Sequence, residues 1–354
     1  MEYRPLGSSG LKVSQLLLGT LSFGGRGGFE KLGTLDANEA RRLIDIACDA
    51  GVNTIDTANL YSFGLAEEVL GKALQDKRHD VLIATKVRTP IGAGPNDGGA
   101  SRYHIIRECE NSLRRLQTDH IDLYQLHQWD GVTPIEESLA ALDHLVQSGK
   151  VRYIGTSNYN GWQMMKTLAA ARAHGLTLPA SQQIYYTPES REAEYELLPL
   201  ARDQGLGTLI WSPLGEGLLT GKLRRDQKLS SDHRQGTDWP EPYIHDRERL
   251  YDIIDLLVEI GDGHGVSAAR VALAWLKDRP GVTALILGAR NEEQLQDNLA
   301  CLELELSAEE YERIEEATRP APLYPYWHRA MNGMDRREPA DEPFMVGYRK
   351  TMGI

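Results

Sequence analysis

The chain has 354 residues, 41% of them hydrophobic and 25% charged, which suits one large domain or two of ordinary size with a sizeable core. A formal net charge of −12 argues against a general nucleic-acid binder, while leaving room for a local basic pocket for a phosphorylated ligand.

The opening residues, MEYRPLGSSG, contain no apolar core of signal-peptide length, and no uninterrupted apolar run reaches about 18 residues. Neither a leader nor a membrane span is expected. EYRPLGSSGLKVSQL reads as a hairpin around Ser8-Ser9-Gly10, suited to plugging the N-terminal end of a barrel. Short apolar, β-rich runs follow at 14–20, 52–58, 81–87, 120–127, 151–158, 180–186, 207–214 and 282–289. Helical patterns separate them, at 38–50, 66–76, 101–116, 134–148, 161–174 and 192–205. In SRYHIIRECENSLRRL, Ser101 is placed to cap, and Ile105, Ile106, Cys109, Leu113 and Leu116 recur at helical spacing.

Strands that each lead into a helix imply a parallel sheet with crossover helices. Eight such units in one chain favour a closed (β/α)₈ barrel over an open sheet. Residues 1–318 are read as that domain, and 319–354 as a Pro-rich, aromatic C-terminal extension of it. The loops 21–34, 88–100 and 223–248 and the tail are the least constrained parts, and they are expected to set substrate identity. The long polar segment 223–248 has the length of a lid. Tyr324, Tyr326 and Trp327 crowd four tail residues, so the stretch 324–328 is expected to line or flank the pocket. Cys48, Cys109 and Cys301 form no CxxC and match no zinc pattern. Reduced, buried thiols in a cytoplasmic protein are expected, and no metal site.

In such a barrel, chemistry sits at the C-terminal ends of the strands. Asp56, Lys86 and His127 end three neighbouring strands, and Tyr61 follows the first of them. Singly, each has an ordinary structural explanation: a helix cap, a snorkelling lysine, an interior histidine, a packed ring. Together they make a proton-transfer system. A lysine ammonium near Tyr61 is expected to lower the phenol pKa, by roughly 1–3 units. Asp56 would hold Lys86 charged and in position. Tyr61 would give a proton to a carbonyl oxygen, with His127 orienting that oxygen. No residue of this set supplies a hydride, so a nicotinamide cofactor is implied. The Rossmann fingerprint is missing: FGGRGGF lacks GxGxxG spacing, and GEGLLTGKL fails as a Walker loop at Glu216 and Leu223.

The motifs GVNTIDTANLYSFGLAEEVLGKAL, IATK, SLRRLQTDHIDLYQLH, VRYIGTSN, LIWSPLGEGLLTGKL and ILGARNEEQLQDNL, in that order, resemble the aldo-keto reductase superfamily over roughly residues 1–318. The resemblance implies NADP(H) bound on a (β/α)₈ barrel and reduction of a small-molecule carbonyl substrate. It places the catalytic tetrad on Asp56, Tyr61, Lys86 and His127. It assigns Ser157, Asn158 and Gln183 to the nicotinamide carboxamide, with Gln182 leaving that register open by one residue, and Trp211 to stacking on the ring. Ser212, Leu214, Gly217 and Lys222 match the pyrophosphate stretch. Gly288, Arg290, Gln294 and Asn298 match the adenosine end, and Asp297 stands where many relatives carry Glu. Arg290 suits a ribose 2′-phosphate, which favours NADPH. Channel β-subunits resemble the same family, so a nicotinamide-binding regulatory module with little turnover is the alternative.

Overall fold

The computed structural model describes residues 1–225 and 242–354; most of the polar segment expected to form a lid lies outside the described residues. Strands β1 (Tyr3–Pro5) and β2 (Lys12–Ser14) pair antiparallel as the expected hairpin. Eight parallel strands then close into a barrel: β3 (Leu16–Gly19), β4 (Thr54–Asp56), β5 (Leu82–Val87), β6 (Ile121–Leu126), β7 (Val151–Ser157), β8 (Ser181–Tyr185), β9 (Gly207–Trp211) and β10 (Ala284–Leu287), with β10 hydrogen-bonded to both β9 and β3.

The outer layer contains α1 (Ala37–Asp49), α2 (Leu65–Ala73), α3 (Arg102–Leu116), α4 (Ile135–Gln147), α5 (Gly161–His174), α6 (Leu197–Gln204), α7 (Arg247–His264), α8 (Ala268–Leu276), α9 (Glu292–Leu299) and α10 (Ala308–Thr318). Local chemistry starts these helices. Asp36 and Glu39 form a reciprocal capping box on α1, Asn160 and Gln163 another on α5, and Ser101 caps α3 as its sequence predicts. The helix expected over 192–205 is interrupted: a 3₁₀ turn at Glu192–Glu194 precedes α6. Pro199 accounts for the break, because it has no N–H to continue the hydrogen-bond ladder from upstream, whereas the first turn of a new helix tolerates it.

Alternation along each strand divides the barrel interior into layers. At the N-terminal end, Leu17, Ala84, Leu123, Leu209, Ala284 and Ile286 form an apolar floor, joined by Leu6 and Val13 from the hairpin. The hairpin docks closely: Gly7, at φ +61°, has room for no Cβ, since Gly205 O would lie 2.4 Å away. Two residues along the same strands, the inner face turns polar, at Lys86, Gln125 and Trp211, and that layer holds the candidate site.

The tail does not take the course expected of it. No described residue of 319–354 lines the main cleft. Helices α11 (Tyr326–Asn332) and α12 (Glu342–Met352) pack on the flank beside α6. Tyr195 stands 5.0 Å from the Tyr326 ring and 5.8 Å from the Tyr348 ring, centroid to centroid, while Arg202 donates to the carbonyls of Pro339 and Ala340. Of the crowded rings, Tyr326 thus finds its partner in a tyrosine before α6 rather than at the barrel mouth, while Tyr324 and Trp327 stay exposed beside each other. Tyr324 and Tyr326 border a separate groove of about 570 Å³, which meets the cleft at Asn158, and Tyr326 also lines a second groove against Tyr348. Truncation after Arg319 is expected to lower Tm, because the stabilisation from burying Phe344, Met345 and Tyr348, about 1.5–3 kcal/mol for each large apolar side chain, goes with the tail. The KM for carbonyl substrates should stay unchanged; a folded truncated enzyme with a raised KM would show that the tail does reach the site.

Candidate active site

The C-terminal mouth of the barrel opens into a cleft of about 1130 Å³, larger than the roughly 300–1,000 Å³ of ordinary small-ligand pockets. Every site residue singled out from the sequence lines it except Lys86, which is buried beneath Tyr61.

Asp56 ends β4 and Lys86 lies on the adjacent β5, both facing inward. They form a buried ion pair between Lys86 Nζ and Asp56 Oδ1. Lys86 Nζ also donates to the Thr57 carbonyl at 2.8 Å and to Tyr61 Oη at 3.5 Å. Tyr61 is held by its own loop. After it, Ser62 and Phe63 adopt left-handed backbone, and Gly64, at φ +87°, turns the chain into α2. Ser62 Oγ donates to the Phe23 carbonyl and accepts the Gly25 N–H, tying this loop to the glycine-rich segment 23–29. The glycines there serve packing: a Cβ on Gly27 would meet the Phe63 ring at 2.4 Å. His127 follows β6, edge-on to Tyr61 with ring centroids 6.0 Å apart.

The electrostatics reverse one expectation. Burial pushes the Tyr61 phenol above its ordinary value and outweighs the nearby Lys86 ammonium; Asp56 and Glu216 push in the same direction as burial. The lysine therefore moderates a raised pKa instead of producing a lowered one. For Lys86, burial acts downward, but Asp56 and Tyr61 prevail and its pKa lies above the ordinary value. His127 is pushed down to about 3 by burial, with Lys86 and Arg88 adding to the effect, so its imidazole is neutral at physiological pH. A phenol that keeps its proton beside a neutral imidazole can donate to a developing oxyanion.

The rest of the cleft is framed by polar contacts. Asn158 Nδ2 donates to the His127 carbonyl, and Asn158 Oδ1 accepts the Trp211 indole N–H at 2.9 Å, which fixes the orientation of the indole. Gln183 faces the interior and lines the cleft, whereas Gln182 faces the outer layer and donates to the Leu197 carbonyl. Gln294 Oε1 accepts the Arg290 backbone N–H, and Asn298 donates to the Gly288 carbonyl, shaping the turn between β10 and α9. A Cβ on Gly288 would meet nothing within 4 Å, so the backbone there lies open to the cleft. Lys222 and Arg290 are the cationic side chains on the described lining.

Among the described residues, seven that are not glycine adopt left-handed backbone, and all but Gln117 lie in loops at the mouth: Ser62, Phe63, Arg88, Asn158, Ser212 and Glu216. Such conformations are uncommon and concentrate at functional sites. Glu216, Ser267 and Asp297 line the cleft although none belongs to the predicted set. Asp297 also accepts from Ser267 Oγ and Arg270, joining α9 to the start of α8. No helix of the described residues is long and apolar enough to cross a membrane, and no cluster of their acidic, histidine or cysteine side chains could hold a metal. Cys109 and Cys301 are buried, and Cys48 is partly exposed; all three are free thiols.

Fold and cleft together define an α/β-barrel protein whose candidate site lies at the C-terminal rim. The sequence profile of the Aldo/keto reductase family matches residues 15–319, and the chain belongs to that family. It is 42% identical over 323 residues to an uncharacterized oxidoreductase of Bacillus subtilis (strain 168), covering 87% of this chain and 93% of the relative. It is 35% identical to versiconal hemiacetal acetate reductase of Aspergillus parasiticus, covering 92% and 99%. A probable voltage-gated potassium channel subunit beta of Arabidopsis thaliana is also 35% identical, with 93% and 100% covered. The family and its oxidoreductase members make the supported reaction class that of an oxidoreductase.

Proposed function

We propose that the protein reduces aldehydes or ketones to alcohols with NADPH, and that Tyr61 is the general acid. The observation that carries this reading is the raised Tyr61 phenol beside the buried Lys86–Asp56 pair and the neutral His127, at one end of a cleft with Lys222 and Arg290 on its lining. The residues fit a nicotinamide dinucleotide: an oriented indole at Trp211, inward polar groups at Ser157, Asn158 and Gln183, open backbone at Gly288, and Ser212, Leu214, Gly217 and Lys222 along the matched pyrophosphate stretch. When bound, the cofactor supplies the hydride.

The protein's own part is binding, orientation and proton delivery. His127 orients the carbonyl oxygen through its neutral imidazole. Tyr61 Oη gives that oxygen its proton, and Lys86, fixed by Asp56, stabilises the tyrosinate left behind. In the reverse direction Tyr61 takes the proton back. Reduced thiols suit a cytoplasmic setting.

The test is purified protein with NADPH and a panel of aldehydes, followed by absorbance. Oxidation of NADPH that depends on the aldehyde supports the reading. Tight NADPH binding with no turnover favours instead a regulatory role of the kind suggested by the probable channel β-subunits among its relatives. Arg290→Ala is expected to weaken NADPH by about 10- to 150-fold, the scale of one charge-assisted contact, and NADH far less. Equal losses for the two cofactors, by fluorescence titration, would show that Arg290 does not read the 2′-phosphate.

A further inference from the structure

We propose that Gln125 is a positioning residue for proton delivery: together with Gln183 it holds one oxygen of Asp56, so that the other oxygen stays on the Lys86 ammonium. This rests on the reading of Tyr61 as the acid. Gln125 is absent from the cleft lining and is wholly buried, so it does not touch a bound substrate or cofactor; it would act through Asp56.

The geometry is that of a barrel layer. Side chains from alternate strands meet at one height inside a (β/α)₈ barrel. Asp56 on β4, Gln125 on β6 and Gln183 on β8 are three such side chains. Gln183 Nε2 donates to Asp56 Oδ2 at 2.8 Å, and Gln125 Nε2 donates to the same oxygen at 3.3 Å. Gln183 Nε2 also reaches Gln125 Oε1 at 3.4 Å. Both amides have only one sensible orientation, because an ionised carboxylate accepts and never donates. The remaining oxygen, Oδ1, carries the ion pair with Lys86.

The surrounding sheet is cut to fit. Gln125 stands opposite Lys86 on β5 in register and opposite Gly155 on β7. A Cβ at Gly155 would lie 3.2 Å from Gln125 Cγ and 2.6 Å from Ser181 Oγ, so the glycine clears the space that the glutamine crosses. Below Gln125 on the same face is Leu123, in the apolar floor; above it is His127. A leucine at 125 would continue that floor, so an amide there in a wholly buried position calls for a polar partner, and Asp56 is that partner.

The charged and titratable groups that face Tyr61 and Lys86 are Asp56 from β4, His127 from the end of β6 and Glu216 from the loop after β9. Asp56 raises the pKa of both Tyr61 and Lys86. Loosening Asp56 must therefore lower both values, and adding a second carboxylate beside it must raise them.

The experiment compares Gln125→Leu and Gln125→Glu with the wild type. Tyr61 ionisation is followed without cofactor by tyrosinate difference absorbance, each trace corrected with the matching Tyr61→Phe variant. The expected result is a lower midpoint in Gln125→Leu and a higher one in Gln125→Glu. In Gln125→Leu, kcat should also fall about tenfold, the lower end for losing a hydrogen bond to a charged group, with NADPH affinity unchanged. A midpoint that moves in neither variant, while Tm falls, would reduce Gln125 to a structural residue and overturn the proposal. Should Gln125→Leu fail to fold, Gln125→Asn, whose shorter amide does not reach Asp56 Oδ2, is titrated in its place; a lowered midpoint there supports the proposal, and an unmoved one overturns it. The titration needs no turnover. Shifted midpoints in a protein that reduces no carbonyl would sink the reductase reading and leave the positioning role intact.

Discussion

Tyr61→Phe is expected to lower kcat by about 10²–10⁴-fold, the usual scale of general acid catalysis, and to leave NADPH binding in place. The substitution removes one hydroxyl from a ring that is otherwise held by its loop, and the residues matched to the cofactor lie on other strands. The pH profile carries the same signature. Because burial pushes the Tyr61 phenol above its ordinary value, activity should decline only at strongly alkaline pH, beyond the range where an exposed phenol ionises. His127, with its pKa pushed down to about 3, contributes no acid limb between pH 5 and 8. Near-normal turnover by a folded Tyr61→Phe enzyme would remove Tyr61 from the mechanism, and a break in kcat near pH 6.5 that vanishes in His127→Gln would contradict the neutral imidazole.

Lys86→Met is expected to cost about 3–5 kcal/mol of stability as well as nearly all activity, because it strands Asp56 as a buried, unpaired carboxylate. The double variant Asp56→Asn with Lys86→Met removes both charges. It should recover much of the stability, since replacing both members of a buried pair is often close to neutral, but none of the activity. Chemical denaturation of the two variants, beside their kcat values, separates the contributions. If Lys86→Met is as stable as the double variant, the pair does not behave as a buried ion pair.

The barrel was legible because eight apolar runs, each leading into a helix, leave few other ways to bury both faces of a sheet. The four rim residues were legible for a related reason: polar groups at the ends of apolar strands have no role in the core. Gln125 was not legible. One glutamine in DLYQLH reads as an ordinary strand residue until its partners on β4 and β8, 69 and 58 positions away, are brought to the same height. The sign of the Tyr61 shift was hidden because it depends on how deeply the ring is buried, and the chain does not state that. The tail failed differently. Its aromatic residues required a surface, but composition does not distinguish the mouth from a flank that carries Tyr195.

The hairpin and the apolar floor make the barrel a vessel with one door. Beneath the polar layer, Leu6 and Val13 complete an apolar wall, against which Tyr153 also packs. The proposed acid, Tyr61, lines the open cleft above this wall, and Lys86 behind it is bound to Asp56 and to the Thr57 carbonyl. On the proposed mechanism, recharging the phenol would use the same opening through which substrate arrives and product leaves. Proton uptake from solvent is thus tied to the cleft being open, once in each turnover.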